Sequence, residues 1–227
     1  LHMGYSFDFF TRELSPALVR RNVEEMLRSE AWPCWSFSNH DVERAVSRFG
    51  LTAQAEAAGP FLIALLCSLR GSPCIYQGEE LGLTEAIVPY ERLQDPYGIR
   101  FWPEYKGRDG CRTPMPWSQA AQHAGFTDGE PWLPVAPEHT AIAVSAQEAD
   151  PTSCLARARA FLRWRRERPE MVRGAVAFHD APDPVLAFTR REAEARTLCV
   201  FNIGAGRASF DAREFWPVSP LHSSITR

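Results

Sequence analysis

Carboxylates beside other polar groups carry most of the chemistry this 227-residue chain can offer. In Asn39-His40-Asp41 an imidazole and a carboxylate sit side by side directly after the apolar run 32–37. In Gly78-Glu79-Glu80 two carboxylates follow a second apolar run, 72–76. A carboxylate next to an imidazole can act as a base, a metal ligand or a charge stabiliser. In an α/β barrel such groups collect at the C-terminal ends of strands, where the βα loops converge. The triplet also fits a local role, with Asp41 capping a following helix by accepting N–H groups from the Val42-Glu43-Arg44 turn. Both readings stand on the triplet alone. Glu79 and Glu80 read first as a turn closed by its own hydrogen bonds.

These groups need elements to hold them. Within the strand-like run 1–10, Tyr5–Phe10 alternates aromatics with Ser6 and Asp8, as a strand end does. Ser15-Pro16 is an N-cap followed by proline at the first helical position, and Val19, Val23, Met26 and Leu27 then recur at helical spacing. The run 32–37 is a short aromatic strand. Gly59-Pro60 opens an apolar run, 61–69, closed by Arg70-Gly71, which predicts a helix beginning at the proline. The run 72–76 is a further buried strand. Strand–helix alternation of this kind predicts a parallel sheet with helices on its face.

From residue 84 to 150 the periodicity fails and Pro, Gly, Trp and charges dominate, predicting a long functional loop. Residues 154–166 return to a helix with Leu155, Ala158, Phe161 and Leu162 on one face and five arginines reading as its solvated side. After Gly174 short runs at 175–178, 185–189 and 197–202, separated by turn residues, predict a small antiparallel domain that stops short near Arg227.

Composition excludes several classes. A net charge of −3 gives no basic field for nucleic acid, and Lys106 is the only lysine. The apolar run 61–67 is far below the ~20 residues a bilayer span needs. The six cysteines form no C-x-x-C pair, so no zinc site is expected. Cys67 and Cys74 read as small buried hydrophobes in a reduced, cytoplasmic protein. The opening residues mix His2, Ser6 and Asp8 into a strand-like run, so no secretory leader is expected among them and the start reads as abrupt.

Three ordered blocks carry a resemblance. Trp35-Ser36-Phe37-Ser38-Asn39-His40-Asp41 with Arg44 resembles a late block of glycoside hydrolase family 13, the α-amylase family. Ser72-Pro73-x-Ile75-Tyr76-x-Gly78-x-Glu80-x-Gly82 is similar to the strand-8 segment that follows it. Gly107-Arg108-Asp109-Gly110-x-Arg112-Thr113-Pro114-Met115-x-Trp117 narrows the likeness to the α-glucosidase and oligo-1,6-glucosidase branch, and Asp95-Pro96-Tyr97-Gly98-Ile99-Arg100-Phe101-Trp102-Pro103 to its bacterial α-glucosidases.

The resemblance implies an α/β fold: strands 6–8 of a (β/α)₈ TIM barrel followed by a small antiparallel β domain. Residues 1–170 would be the partial barrel, with the long loop 84–150 after strand 8, and 171–227 a truncated C-terminal β domain. A whole barrel takes ~250 residues, so the first five strands fall outside this sequence. By the same resemblance the nucleophile and the general acid of a retaining glycosidase lie upstream of residue 1.

Within the chain, Asp41 is then the catalytic residue that stabilises the cationic transition state from a glucose-sized hollow. His40, for which a neutral tautomer suffices, and Arg108 bind sugar hydroxyls, and Arg112 is the alternative to Arg108. Tyr5, Trp102 and Trp117 either stack on sugar or pack beneath the loop. No metal or other cofactor is implied. The implied activity is exo-acting release of terminal α-linked glucose from oligosaccharides. Glucosyl transfer and a non-catalytic carbohydrate-binding fragment are the alternatives, and neither nucleic acid nor membrane is a partner. The isolated chain is expected to be inactive and, with two open sheet edges, to self-associate.

Overall fold

The computed structural model describes residues 2–215. In chain order it places strand β1 (Met3–Tyr5), helix α1 (Pro16–Leu27), strand β2 (Trp32–Trp35), and helices α2 (Ala45–Arg48) and α3 (Ala55–Ser68). Strand β3 (Ser72–Pro73) and the short helices α4 (Pro96–Arg100), α5 (Pro137–Ala141) and α6 (Val144–Glu148) follow. Helices α7 (Cys154–Arg166) and α8 (Pro169–Val172) lead into strands β4 (Ala175–His179), β5 (Val185–Glu192) and β6 (Ala195–Asn202). No helix among the described residues is long and apolar enough to cross a membrane.

The chain divides into two compact units. Among the described residues, the first comprises those up to Ser36, Ala64–Cys74 and those from Phe161 to Phe215. It holds two sheets. β1, β2 and β3 pair in that order, all parallel, with Tyr5 opposite Cys34 and Cys34 opposite Ser72. α1 lies between β1 and β2 in the chain, and Ser15 caps it by accepting the Leu18 N–H at 3.2 Å. Its Val19 and Val23 are fully buried. The second sheet is antiparallel, in the order β4-β5-β6, and four consecutive residues of β5, Val185 to Phe188, are buried. Fully buried Arg190 gives this unit an internal clamp, donating to the carbonyls of Ser68 (2.7 Å), Met171 (3.1 Å) and Gly174 (2.9 Å). Burial pulls its pKa down to about 10.

The second unit comprises Phe37–Ile63 and Ile75–Ala160. Much of it is irregular chain broken by short helices, and side chains pin it from within. Gln147 donates to the carbonyls of Leu81 (2.9 Å) and Ile142 (3.0 Å), and its Oε1 accepts the Leu155 N–H at 2.9 Å. Val88, Leu93 and Leu133 form a small apolar cluster against which Trp102 packs.

Several expectations from sequence need correcting. Strand geometry ends at Tyr5 rather than residue 10, because Ser6 Oγ takes the Asp8 N–H (3.2 Å) and turns the chain; Leu1 lies outside the described residues. β3 is only Ser72–Pro73: Pro73 has no N–H, and after Cys74 N–H reaches Trp35 O (2.7 Å) the chain leaves the ladder. Cys74 is therefore exposed, not a buried hydrophobe, whereas Cys67 is buried. α3 begins at Ala55, so Pro60 sits inside the helix rather than opening it. Within 84–150 the chain forms the short helices α4, α5 and α6. The predicted end of the β domain at 216–227 lies outside the described residues.

Candidate active site

Asn39, His40 and Asp41 sit on a turn outside any helix: Asn39 Oδ1 accepts the Asp41 N–H at 2.8 Å, a local Asx turn. Helix α2 starts four residues later, and other groups serve its N-terminus. Ser38 Oγ accepts the Ala45 N–H at 2.8 Å, and Glu85 Oε2 accepts the Arg44 N–H at 2.8 Å. Asp41 is thereby released from the capping role that the sequence left open.

Its carboxylate is gripped instead by two guanidiniums. Arg108 Nη1 reaches Asp41 Oδ1 at 3.0 Å, and Arg112 Nη2 reaches the same oxygen at 2.9 Å. His40 Nε2 lies 3.4 Å from the other oxygen, Oδ2. Arg112 also donates from Nε to the His40 carbonyl at 2.6 Å. Thus His40, Asp41 and Arg108 lie together, and Arg112 joins them on the same Asp41 oxygen as Arg108. The Asp41 side chain keeps 48% of its surface exposed, so it remains open to a ligand.

Two further carboxylates support Arg108, and sequence reading did not single them out. Asp95 caps α4 (its Oδ1 accepts the Tyr97 N–H at 3.2 Å) and is completely buried at its side chain. It accepts from Arg108 three times: Nε to Oδ2 (2.9 Å), Nη2 to Oδ1 (3.0 Å) and the backbone N–H to Oδ2 (2.8 Å). These charge-assisted bonds hold the Asp95 carboxyl at a pKa of about 2 and push Arg108 upward. Buried Asp109 anchors the other side, its Oδ2 accepting the N–H groups of Gln94 (2.6 Å) and Asp95 (2.8 Å). The one available signal was Asp95-Pro96, an N-cap before an N1 proline.

The loop carrying this pair is closed by contact between two glycines. Gly107 has φ +77°, and a Cβ there would lie 2.8 Å from Gly98 Cα and 3.0 Å from Asp95 Oδ2. A side chain would push Arg108 off its carboxylate.

Glu79 and Glu80 are turn-formers, as first read. Glu79 Oε2 accepts the Tyr76 N–H and Glu80 Oε2 the Gly78 N–H, each at 2.9 Å. Burial raises the Glu79 pKa to about 7. Nearby Arg44, 1% exposed, donates to the Gln77 carbonyl at 2.7 Å with its guanidinium 5.4 Å from the Tyr76 ring centre. Burial raises Glu85 to about 7 as well. Of the aromatic candidates, Trp102 packs beneath the loop, while Trp117 and Tyr5 are exposed. A cavity of about 620 Å³ is walled by residues including Arg92, His123, Glu130 and Thr140; Asp41, His40 and Arg108 are not among its walls.

A profile of the α-amylase catalytic domain matches residues 6–174, and the chain belongs to that family. It is 46% identical over 208 residues to a probable alpha-glucosidase of Rhizobium meliloti (strain 1021), covering 89% of this chain and 37% of that protein. It is 32% identical over 216 residues to a probable oligo-1,6-glucosidase 2 of Bacillus subtilis (strain 168), covering 86% of this chain and 37% of that one. Among solved structures, the alpha-glucosyl transfer enzyme XgtA superposes with a TM-score of 0.86 at 55% identity, covering 90% of this chain and 38% of XgtA. The isomaltulose synthase PalI from Klebsiella sp. LX3 gives a TM-score of 0.78 at 28% identity, covering 89% of this chain and 42% of its own. The chain therefore spans 37% of the length of these curated relatives.

Proposed function

We propose that this chain is the later part of a retaining, exo-acting α-glucosidase, acting on terminal α-linked glucose of oligosaccharides or glucosides in the cytoplasm. On this reading β1, β2 and β3 are barrel strands 6, 7 and 8, and β4–β6 begin the C-terminal β domain. The observation that carries it is the Asp41 carboxylate, freed from helix capping and held by Arg108 at 3.0 Å and Arg112 at 2.9 Å.

A retaining glycosidase divides the work between a carboxylate nucleophile and a carboxyl acid–base, ~5–5.5 Å apart, while positive charge grows on the sugar ring. Neither of those groups is assigned to this chain. Asp41 supplies the third part: a fixed negative charge beside the developing oxocarbenium ion, which lowers the barrier without reorganising. His40 and Arg108 donate to the hydroxyls of the terminal glucose and so restrict the site to chain ends. No step needs a metal or an organic cofactor.

Glucosyl transfer to an acceptor hydroxyl is the second reading, and the 55% identity to an alpha-glucosyl transfer enzyme favours it specifically. Both reactions share the first half, and they part at whether water or an acceptor attacks the glucosyl enzyme. The test is turnover of an aryl α-glucoside by the full-length polypeptide, with free glucose and glucosylated product measured as an alcohol acceptor is added. Aryl release with the α-anomer first formed supports the reading, and release that tracks acceptor concentration assigns transfer. No cleavage of any α-glucoside by the full-length polypeptide would sink both.

A further inference from the structure

The Arg108 guanidinium is used on two edges at once. Its Nε and Nη2 face the buried carboxylate of Asp95, and only Nη1 points to Asp41. Asp95 is itself fixed, because Asp109 takes its backbone N–H and that of Gln94, and the Gly98–Gly107 approach closes the loop. Counting charges, Asp41 and Asp95 stand against Arg108 and Arg112. Removing Asp95 leaves two guanidiniums on one carboxylate, and the Asp41 position turns electropositive.

We propose that Asp95 is a positioning residue of the site. It fixes Arg108 by the Nε–Nη2 edge, and its buried charge offsets that guanidinium so that Asp41 keeps a negative potential for a cationic sugar. The inference rests on the glucosidase reading above and deepens it. A bidentate pair out of water is both rigid and electrostatically strong, so Asp95 acts on the reaction without touching substrate. The effect is selective. A neutral glucoside in the ground state feels the potential little, while the cationic transition state feels it fully.

The experiment uses the full-length polypeptide with Asp95→Asn, Arg108→Ala and the double variant. It measures kcat and KM on an aryl α-glucoside, and the inhibition constants of a protonated piperidine sugar mimic and of glucose. We expect Asp95→Asn to lower kcat about 100-fold and the affinity for the cationic mimic by a similar factor, with KM and glucose affinity worsening by a smaller factor, because Arg108 also donates to the glucose hydroxyls. The double variant should be no worse than Arg108→Ala alone, because Asp95 acts through Arg108. Wild-type kcat and mimic affinity in Asp95→Asn, or losses that multiply in the double variant, overturn the proposal.

If Asp95→Asn does not fold, Asp95→Glu keeps the charge but displaces the carboxylate by one methylene. A kcat loss of at least 10-fold at unchanged Tm supports positioning, and wild-type kinetics overturn it. Should the wild type itself cleave no α-glucoside, the glucosidase reading fails separately. The positioning claim is then read from crystals of the Asp95→Asn (or Asp95→Glu) protein: Arg108 displaced from Asp41 supports it, Arg108 unmoved overturns it.

Discussion

Arg112 holds Asp41 from two sides of one peptide: Nη2 lies 2.9 Å from the Asp41 carboxylate, and Nε donates to the carbonyl of the preceding His40 at 2.6 Å. A planar fork spanning backbone and side chain fixes both the turn and the direction of the carboxylate, which a point charge on a flexible stem cannot do. Arg112→Lys in the full-length polypeptide should therefore lower kcat/KM about 10-fold or more. Thermal stability should hardly move, since the pair is partly exposed and such pairs stabilise little. Lysine giving wild-type kinetics would mean that charge alone suffices.

The freeing of Asp41 from helix capping separates two variants that sequence alone would confuse. Asp41→Asn should cut kcat by at least about 100-fold and leave the urea midpoint nearly unchanged. Ser38→Ala, which removes the acceptor for the Ala45 N–H, should instead cost about 1 kcal/mol of stability. Kinetics and urea unfolding of both variants check this. A large stability loss in Asp41→Asn with modest change in rate would return Asp41 to a structural role.

Legibility followed locality. The Ser15 cap and α1, α7, and the antiparallel strands β4–β6 were readable because each depends on near-neighbour periodicity and turn residues. Strand ends were not: β3 stops where Pro73 interrupts the ladder, and which residue leaves a ladder is decided by its partner strand. The buried clamps Asp95, Asp109 and Arg190 were hidden for a related reason. Charged residues read as surface in a sequence, and only three-dimensional pairing can justify their burial. Asp41 and Arg108, 67 residues apart, were joined by resemblance, since no local pattern spans that distance.

The 227-residue chain by itself should release no p-nitrophenol from an aryl α-glucoside. The nucleophile and acid–base carboxyls are placed by resemblance outside it, and the in-chain candidates Glu79 and Glu80 are spent on backbone N–H groups of their own turn. Turnover by a purified sample, surviving in Asp41→Asn, would overturn this division of labour.

Glu85 sets a testable sign for pH. Burial raises its pKa to about 7 against an ordinary value of 4.5, so between those pH values the folded state keeps a proton that the unfolded state has lost. Stability contributed by Glu85 is therefore full below about pH 4.5 and falls as pH rises to 7, by an amount of order 3 kcal/mol. Glu85→Gln keeps an acceptor for the Arg44 N–H and removes this slope, leaving the share due to Glu79. Urea midpoints at pH 5 and 7.5 for both proteins measure it, and an unchanged slope in Glu85→Gln would refute the assignment. Asp95 runs the other way, its contribution being lost only as pH falls through about 2.

Gly59 tests packing against propensity. It lies inside α3 with an ordinary helical backbone, where replacing glycine by alanine would stabilise by about 1 kcal/mol on propensity alone. Here an added Cβ would meet Cys154 Sγ at 2.6 Å and Gly82 Cα at 3.0 Å. Cys154 is buried, and Gly82 is backbone held at φ +73°, so neither yields cheaply. Overpacking of this kind costs about 1–3 kcal/mol, which outweighs the propensity gain. Gly59→Ala should thus be destabilising in urea, and the pair Gly59→Ala with Cys154→Ala should recover part of the loss by making room at Sγ. A stabilised single variant would show that α3 can move away from the Gly82 turn, and the close helix–turn contact would then be incidental to the fold.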